Sequence, residues 1–222
     1  TTLNGEGLQH QDGHSPILAS TVPSVRTYDP AFAWELAILV CFGIQRMFVE
    51  DHDELFYLMM YNEALPMPAR PAHEALDEGV VRGGYLLEPA AGDGPRVNLL
   101  GSGTILFEVM QAAETLREEG YSVSVYSITS YIELARDAER AEQADADPAW
   151  LDTIFPETDV PIVAATDYVR ALPRMIASWI NGPFMALGTD GFGMSERRSD
   201  LRAHFKVDAA SIADVARKLT AR

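Results

Sequence analysis

From residue 84 to residue 187, short apolar runs alternate with longer stretches that are apolar on one face only, and this limits the fold more than any other feature. Residues 84–87, 97–100, 122–126, 162–165 and 184–187 are short and largely apolar, which suits buried strands. Between them, residues 104–119 place Leu106, Val109, Met110, Ala113 and Leu116 on one helical face. Residues 130–143 predict a second helix, 168–180 a third bent at Pro173, and 211–219 a closing amphipathic helix. Strands joined by helices favour parallel pairing with helices on both faces. The expected fold is therefore α/β, a three-layer α/β/α domain around a mostly parallel sheet.

The upstream part has a different texture. Residues 1–28 are rich in Gly, His, Ser and Pro and show no periodicity, so they are expected to form a loop. Asp29 and Pro30 supply a helix cap and a first-turn proline. The run 31–49 follows, apolar almost all round and interrupted only by Glu35, Gln45 and Arg46. Such a helix belongs in a core or a subunit interface. Residues 55–60 are expected to be a buried strand. Pro66, Pro68 and Pro71 mark a linker and a domain boundary, with residues 1–68 on one side and 69–222 on the other. The acidic segment 139–159 is expected to be an exposed loop.

The chain's 222 residues, 47% of them hydrophobic, suffice for one large domain or for one domain plus a piece of another. Its 33 acidic and 17 basic side chains leave a formal charge of −16. Such a surface repels phosphate backbones, so nucleic acid is not an expected partner. Small anionic substrates would need a local positive site. The single cysteine, Cys41, excludes an internal disulfide framework and suits a reducing cytoplasm. Its apolar surroundings predict a buried structural thiol. No signal peptide is recognised, and the longest apolar stretch, 36–44, is too short to span a bilayer. The opening at Thr1, in what reads as mid-domain, suggests a cut or split polypeptide.

Four motifs could carry chemistry. In Gly5-Glu6-Gly7-Leu8-Gln9-His10-Gln11-Asp12-Gly13-His14, two histidines four residues apart flank an aspartate. These are metal-ligand types, but no periodicity aims them and no further ligand cluster follows downstream. Histidines satisfied by backbone groups in a Gly-rich loop are the simpler reading. Acid–base or anion-binding work by His10 or His14 is the sharper one. Gly101-Ser102-Gly103-Thr104 lacks the lysine of a phosphate-binding loop, and Gly188-Thr189-Asp190-Gly191-Phe192-Gly193 lacks dinucleotide spacing, so both are expected to be turns. Glu35, alone in an apolar helix, must find hydrogen-bond partners or change its protonation state.

The strings GEGLQHQDGH, TYDPAFAWELA, LLGSGTI, YSITSYIELARD, ATDYV, LGTDGFGMSE and LRAHFKVDA, in this order, resemble the C-terminal part of the homodimeric-type pyruvate dehydrogenase decarboxylating component. That family belongs to the transketolase-like thiamine diphosphate enzymes. The resemblance covers Thr1 to about Ala210. It implies that residues 1–68 end a pyrimidine-binding domain and that 69–222 form a transketolase-type C-terminal domain. It implies thiamine diphosphate and magnesium as cofactors, with most of their ligands upstream of this chain. His10, and after it His14, would then be the active-site histidine facing the pyruvate-derived intermediate. The implied partners are the upstream half of the enzyme or a second subunit, in a dimeric assembly that serves a lipoyl-bearing acetyltransferase core. The segment between Asp137 and Asp167 departs from the family by its shortness and acidity, and the C-terminus stops early. A split transketolase-like subunit acting on another 2-oxo acid or forming acyloins, and a non-catalytic dimerisation or docking module, are the alternatives.

Overall fold

A computed structural model describes residues 1–2, 10–72, 75–143 and 148–221. In chain order the elements are α1 (Ser15–Ser20), β1 (Val25–Tyr28), α2 (Ala33–Ile44), β2 (Leu55–Leu58), α3 (Leu76–Arg82), β3 (Tyr85–Glu88), β4 (Arg96–Gly101) and α4 (Ile105–Glu118). They continue as β5 (Ser122–Ser127), α5 (Tyr131–Gln143), α6 (Trp150–Ile154), β6 (Ile162–Ala165), α7 (Ala171–Arg174), β7 (Phe184–Leu187), α8 (Arg198–Phe205) and α9 (Ala209–Thr220).

The main sheet has the order β3-β5-β4-β6-β7, parallel throughout except for the antiparallel edge strand β3. Val97, Leu99, Val123, Val125 and Val163 face one side, where α4 and α9 cover them. Leu100, Tyr126, Ile162 and Ala164 face the other, under α5, α6 and the segment around Leu172. Two buried layers on one sheet make the three-layer α/β/α domain that the alternation predicts.

The upstream part adds a two-stranded parallel ribbon, β1 beside β2, with α2 packed near it. Several local expectations give way here. The segment 1–28 is not all loop, because α1 and β1 occupy residues 15–28. Asp29 does not cap α2. Phe32 holds the N-cap position, and the Ala31 and Phe32 N–H groups donate to Glu35 Oε2 at 2.6 and 3.0 Å. The other Glu35 oxygen accepts from Tyr85 Oη at 2.7 Å and Ser127 Oγ at 2.6 Å. The buried carboxylate is thus fully partnered, although burial still pushes its pKa up.

Helix α2 is not buried all round. It runs on into a π-helical turn at Gln45–Val49, and Val40, Ile44 and Phe48 form an exposed stripe at i, i+4 spacing. Phe48 is 78% exposed. Cys41 lies on the same open side, so the expected buried thiol is an exposed one. Nor is β2 a buried strand, since Leu55 and Tyr57 point outward on one face of a two-stranded ribbon. The predicted helix 168–180 is α7 followed by a separate 3₁₀ turn at Ala177–Trp179. Pro173 sits in the first turn of α7, where its missing N–H is harmless, so it starts that helix instead of bending a longer one. The acidic segment 139–159 is likewise no plain loop: α5 extends to Gln143, and α6 buries Trp150, Leu151 and Ile154.

Residues 59–72 run without regular structure between the two parts. Their path is fixed by charge: Glu63 accepts from Arg202 Nη2 at 2.6 Å, and Arg202 Nη1 reaches Glu108 at 3.2 Å. Arg202 is buried, so this pairing ties the connecting segment to α4 and α8.

Candidate active site

The carboxyl ends of β4, β6 and β7 face the upstream part, and the histidine loop is held there. Parallel α/β sheets place their ligand clefts at this edge. Asp12 Oδ1 accepts from the backbone N–H groups of His14 and Ser15, each at 3.0 Å, and so caps α1. Partial burial opposes ionisation of Asp12, but these bonds outweigh it and hold its pKa below the ordinary carboxylate value.

Gly13 makes the loop's main contact with the C-terminal domain. Its carbonyl accepts from Val169 N–H at 3.0 Å, and a β-carbon at Gly13 would meet the Thr189 carbonyl at 3.3 Å. On the other side, Gly193 has φ +77° and packs against Gln11, whose Cβ would lie 2.9 Å from an added methyl. The turn 188–193 is itself pinned, since Thr189 N–H donates to Tyr168 O at 2.8 Å and Asp190 accepts from Arg170. Both glycine motifs are therefore turns, as expected. One of them forms the wall of the histidine loop, which their local spelling does not disclose.

Below the loop lies a cleft of about 340 Å³ between the two parts of the chain. Gln11, Asp12, Tyr61, Asp167 and Tyr168 line it. Its base is a chain of hydroxyls and carboxylates. Thr2 donates to Asp167 through N–H at 3.1 Å and Oγ1 at 2.6 Å, and its hydroxyl also lies 2.7 Å from Thr104 Oγ1. Ser102 Oγ is 3.0 Å from Thr166 Oγ1. Tyr61 donates to Asp29 Oδ1, and Gly103 N–H donates to the Asp29 carbonyl at 3.1 Å.

Asp29 was read from the sequence only as a helix cap, yet it is a strongly perturbed acid beside this cleft. Burial pushes its pKa up to about 8; Ser102 opposes the shift, while Asp167 and Glu35 add to it. At neutral pH it is a carboxylic acid. Tyr168, buried beside Asp29, Asp167 and Asp12, is also pushed well up and keeps its proton.

His10 and His14 are both exposed. Neither lines the cleft, but their neighbours Gln11 and Asp12 do, so the backbone at His10 and His14 lies within two residues of its lining. Residues 5–9 of the same motif lie outside the described residues. Among the described residues, no group of three His, Cys, Asp or Glu side chains could hold a metal. Among the described residues, the cleft lining includes Asp12 and Asp167 and no basic side chain. A diphosphate with its metal ion does not fit this donor set, because Asp12 and Asp167 are already engaged by His14, Ser15, Thr1 and Thr2, and among the described residues no unpaired cation lines the cleft to meet the anion.

Both parts of the chain have relatives among known proteins. Residues 1–68 match the family model of the pyruvate dehydrogenase E1 component middle domain, and residues 83–208 that of the transketolase-like C-terminal domain. The chain is 44% identical to the pyruvate dehydrogenase E1 component of Corynebacterium glutamicum, over 96% of this chain and 24% of that protein. It is 42% identical to that of Escherichia coli, over 96% of this chain and 25% of that protein. It thus spans about a quarter of the length of the curated relatives it matches. Among solved structures, transketolase from Leishmania mexicana superposes with a TM-score of 0.73 at 19% identity, covering 100% of this chain and 29% of that one. A split-gene transketolase, described as an inactive β4 tetramer, superposes at 0.71 with 16% identity, covering 97% of this chain and 64% of that one. These two establish the fold. With both segments matched in order and at this identity, the chain belongs to the transketolase-like family, in the branch of the pyruvate dehydrogenase E1 component.

Proposed function

We propose that the chain forms the C-terminal part of a pyruvate dehydrogenase E1 component, which decarboxylates pyruvate and passes the acetyl group to lipoyl groups of an acetyltransferase core. The observation that supports this most is the 42–44% identity to E1 components sustained over nearly the whole chain. In this reading residues 1–68 close the pyrimidine-binding domain and 69–222 form the C-terminal domain. Thiamine diphosphate supplies the electron sink for loss of carbon dioxide. In this reading it and its magnesium ion are held by segments outside this chain.

What the chain itself contributes is the histidine loop. The loop is clamped between Val169, Thr189 and Gly193, and in this reading His10, next to the cleft-lining Gln11, reaches the substrate from it. An imidazole there can donate a hydrogen bond to a substrate carboxylate or carbonyl oxygen and relay a proton at its ring nitrogen. His14, at the start of α1, is the second candidate. The exposed stripe of α2 and the outward face of β2 are the surfaces that the rest of the enzyme and a second protomer would cover.

The test is His10→Ala in enzyme assembled from this chain and the upstream part. Turnover on pyruvate should fall on the order of a hundredfold, with folding and oligomeric state unchanged, and His14→Ala should have a smaller effect. Near-normal turnover in both variants would make the loop structural. Loss confined to His14→Ala would transfer the role to that residue.

A further inference from the structure

The opposite, amino edge of the main sheet holds a second cleft. Central strands covered on both faces usually read as continuous apolar runs, and on the α4/α9 side β4 and β5 obey this with Val97, Leu99, Val123 and Val125. On the other side they do not. Leu100 and Tyr126 join the core under α5 and α6, but Asn98 and Ser124, paired with each other in register, replace apolar residues towards the amino ends. Above these two polar residues the helical layer leaves a cleft of about 350 Å³, walled by Trp150, Ile154 and Phe155.

Asn98 is the informative residue. It is 5% exposed, lines the cleft, and its side-chain amide has no hydrogen-bond partner among the described residues. The amide opens into the cleft, where its donor and acceptor are both free to be taken up by a ligand that brings the complementary pair. Ser124, 6% exposed, lies beside it, and burial pushes the Tyr126 phenol up so that it remains a donor. The Tyr126 and Phe155 rings meet edge to face with centroids 4.8 Å apart. Trp150 is locked in place, its Nε1 donating to Gly84 O at 2.8 Å and its ring lying 4.6 Å below the Arg82 guanidinium.

We propose that this amino-edge cleft binds a small, neutral, planar ring compound bearing an amide or lactam edge, which Asn98 recognises by a paired donor and acceptor. Primary amides and lactams present the complement of an asparagine side chain, one donor beside one acceptor. The aromatic walls favour a flat ring. An anion is disfavoured by the −16 charge of the chain, and neither charge at the mouth is free for an ionic ligand, since Arg96, the one basic side chain in the lining among the described residues, is paired with Glu157. A carboxylate ligand would have to displace Glu157 and then lie against it. The site is separate from the histidine loop and does not depend on the function proposed above.

The test uses the full 222-residue chain, labelled with ¹⁵N and titrated with benzamide and, separately, with benzoate. Benzamide should move the Asn98 side-chain amide pair and the Trp150 indole N–H saturably, leaving the indoles of Trp34 and Trp179 in place, and benzoate should not. Asn98→Leu should abolish the benzamide response. Ser124→Ala, a milder change, should weaken it about threefold to tenfold, the loss of one neutral hydrogen bond. No saturable response to benzamide, an equal response to benzoate, or unchanged affinity in folded Asn98→Leu would overturn the proposal. If Asn98→Leu fails to fold, unchanged affinity in Ser124→Ala overturns it instead.

Discussion

Asp29 should make this chain less stable as the pH rises, and Asp29→Asn should remove that dependence. In the folded chain its carboxyl titrates at about 8, because burial disfavours the anion. In the unfolded chain an aspartate titrates at about 3.9. Between those values the folded state holds a proton that the unfolded state has released. Stability is therefore full below about pH 4, falls progressively as pH rises towards 8, and levels off beyond. A gap of about four pH units corresponds to a loss on the order of 5 kcal/mol, at the lower end of the total stability of a domain.

Asparagine mimics the protonated acid in shape. Its carbonyl can still accept from Tyr61, and its amide takes the place of Oδ2, which lacks a close hydrogen-bond partner among the described residues. Urea unfolding midpoints between pH 5 and 9 provide the assay. Wild type and Asp29→Asn should be similar at pH 5, and the variant should be more stable by several kcal/mol at pH 9. A residual slope from Glu35 is expected in both, since burial raises that carboxyl too. Equal pH dependence in the two proteins, or a variant less stable at pH 9, would show that Asp29 is ionised in the folded state and refute the reasoning.

Other outcomes can be checked alongside. Gly103→Ala should destabilise the chain by about 1–3 kcal/mol in thermal or urea unfolding, because φ is +49° there and the new methyl would lie 2.3 Å from Tyr61 Oη and 2.5 Å from Asp29 Oδ1. The isolated chain should bind a hydrophobic dye, and Phe48→Asp should reduce that binding while changing stability by less than about 0.5 kcal/mol. Calorimetry of the isolated chain with thiamine diphosphate and magnesium should show no binding as tight as micromolar, since its cleft offers carboxylates to a diphosphate.

The main sheet was legible in the sequence because each of its strands is a short apolar run bounded by turn residues. Residues 162–165 and 184–187 coincide with β6 and β7 at both ends. The upstream part was harder to read because long-range contacts decide its structure. Asp29 followed by Pro30 is a sound local capping signal, yet a hydrogen bond from Gly103 and burial beside Ser102 draw Asp29 into the join between the two parts, and Glu35 caps the helix instead. The apolar character of α2 and Cys41 was read correctly as residue type. Burial is a property of neighbours, however, and one side of that helix has none within this chain. The histidine pattern was visible as well. Its clamp was not, because Gly13 meets Val169 and Thr189 from more than 150 residues away and leaves no periodicity behind.

On the proposed reading, in which His10 takes part in the reaction, that clamp gives the C-terminal domain a share in the chemistry without a reacting group of its own. A catalytic side chain on a free loop loses rate through misplacement, since an error of about 1 Å can cost on the order of a hundredfold. Here the loop is fixed at three points: Asp12 against α1, Gly13 against Val169, and Gln11 against Gly193. Two of those points belong to the turns that end β6 and β7, elements of the rigid sheet. The same edge is joined to the upstream part through Asp29, Tyr61, Thr2 and Asp167, all buried or partly buried and hydrogen-bonded. A polar join of this kind fixes orientation more strictly than an apolar one, because each bond has a direction and leaving one unmade is destabilising. The sheet therefore acts as the support on which the histidine loop is set, and a change at residue 169, 189 or 193 should disturb the loop as surely as a change at His10.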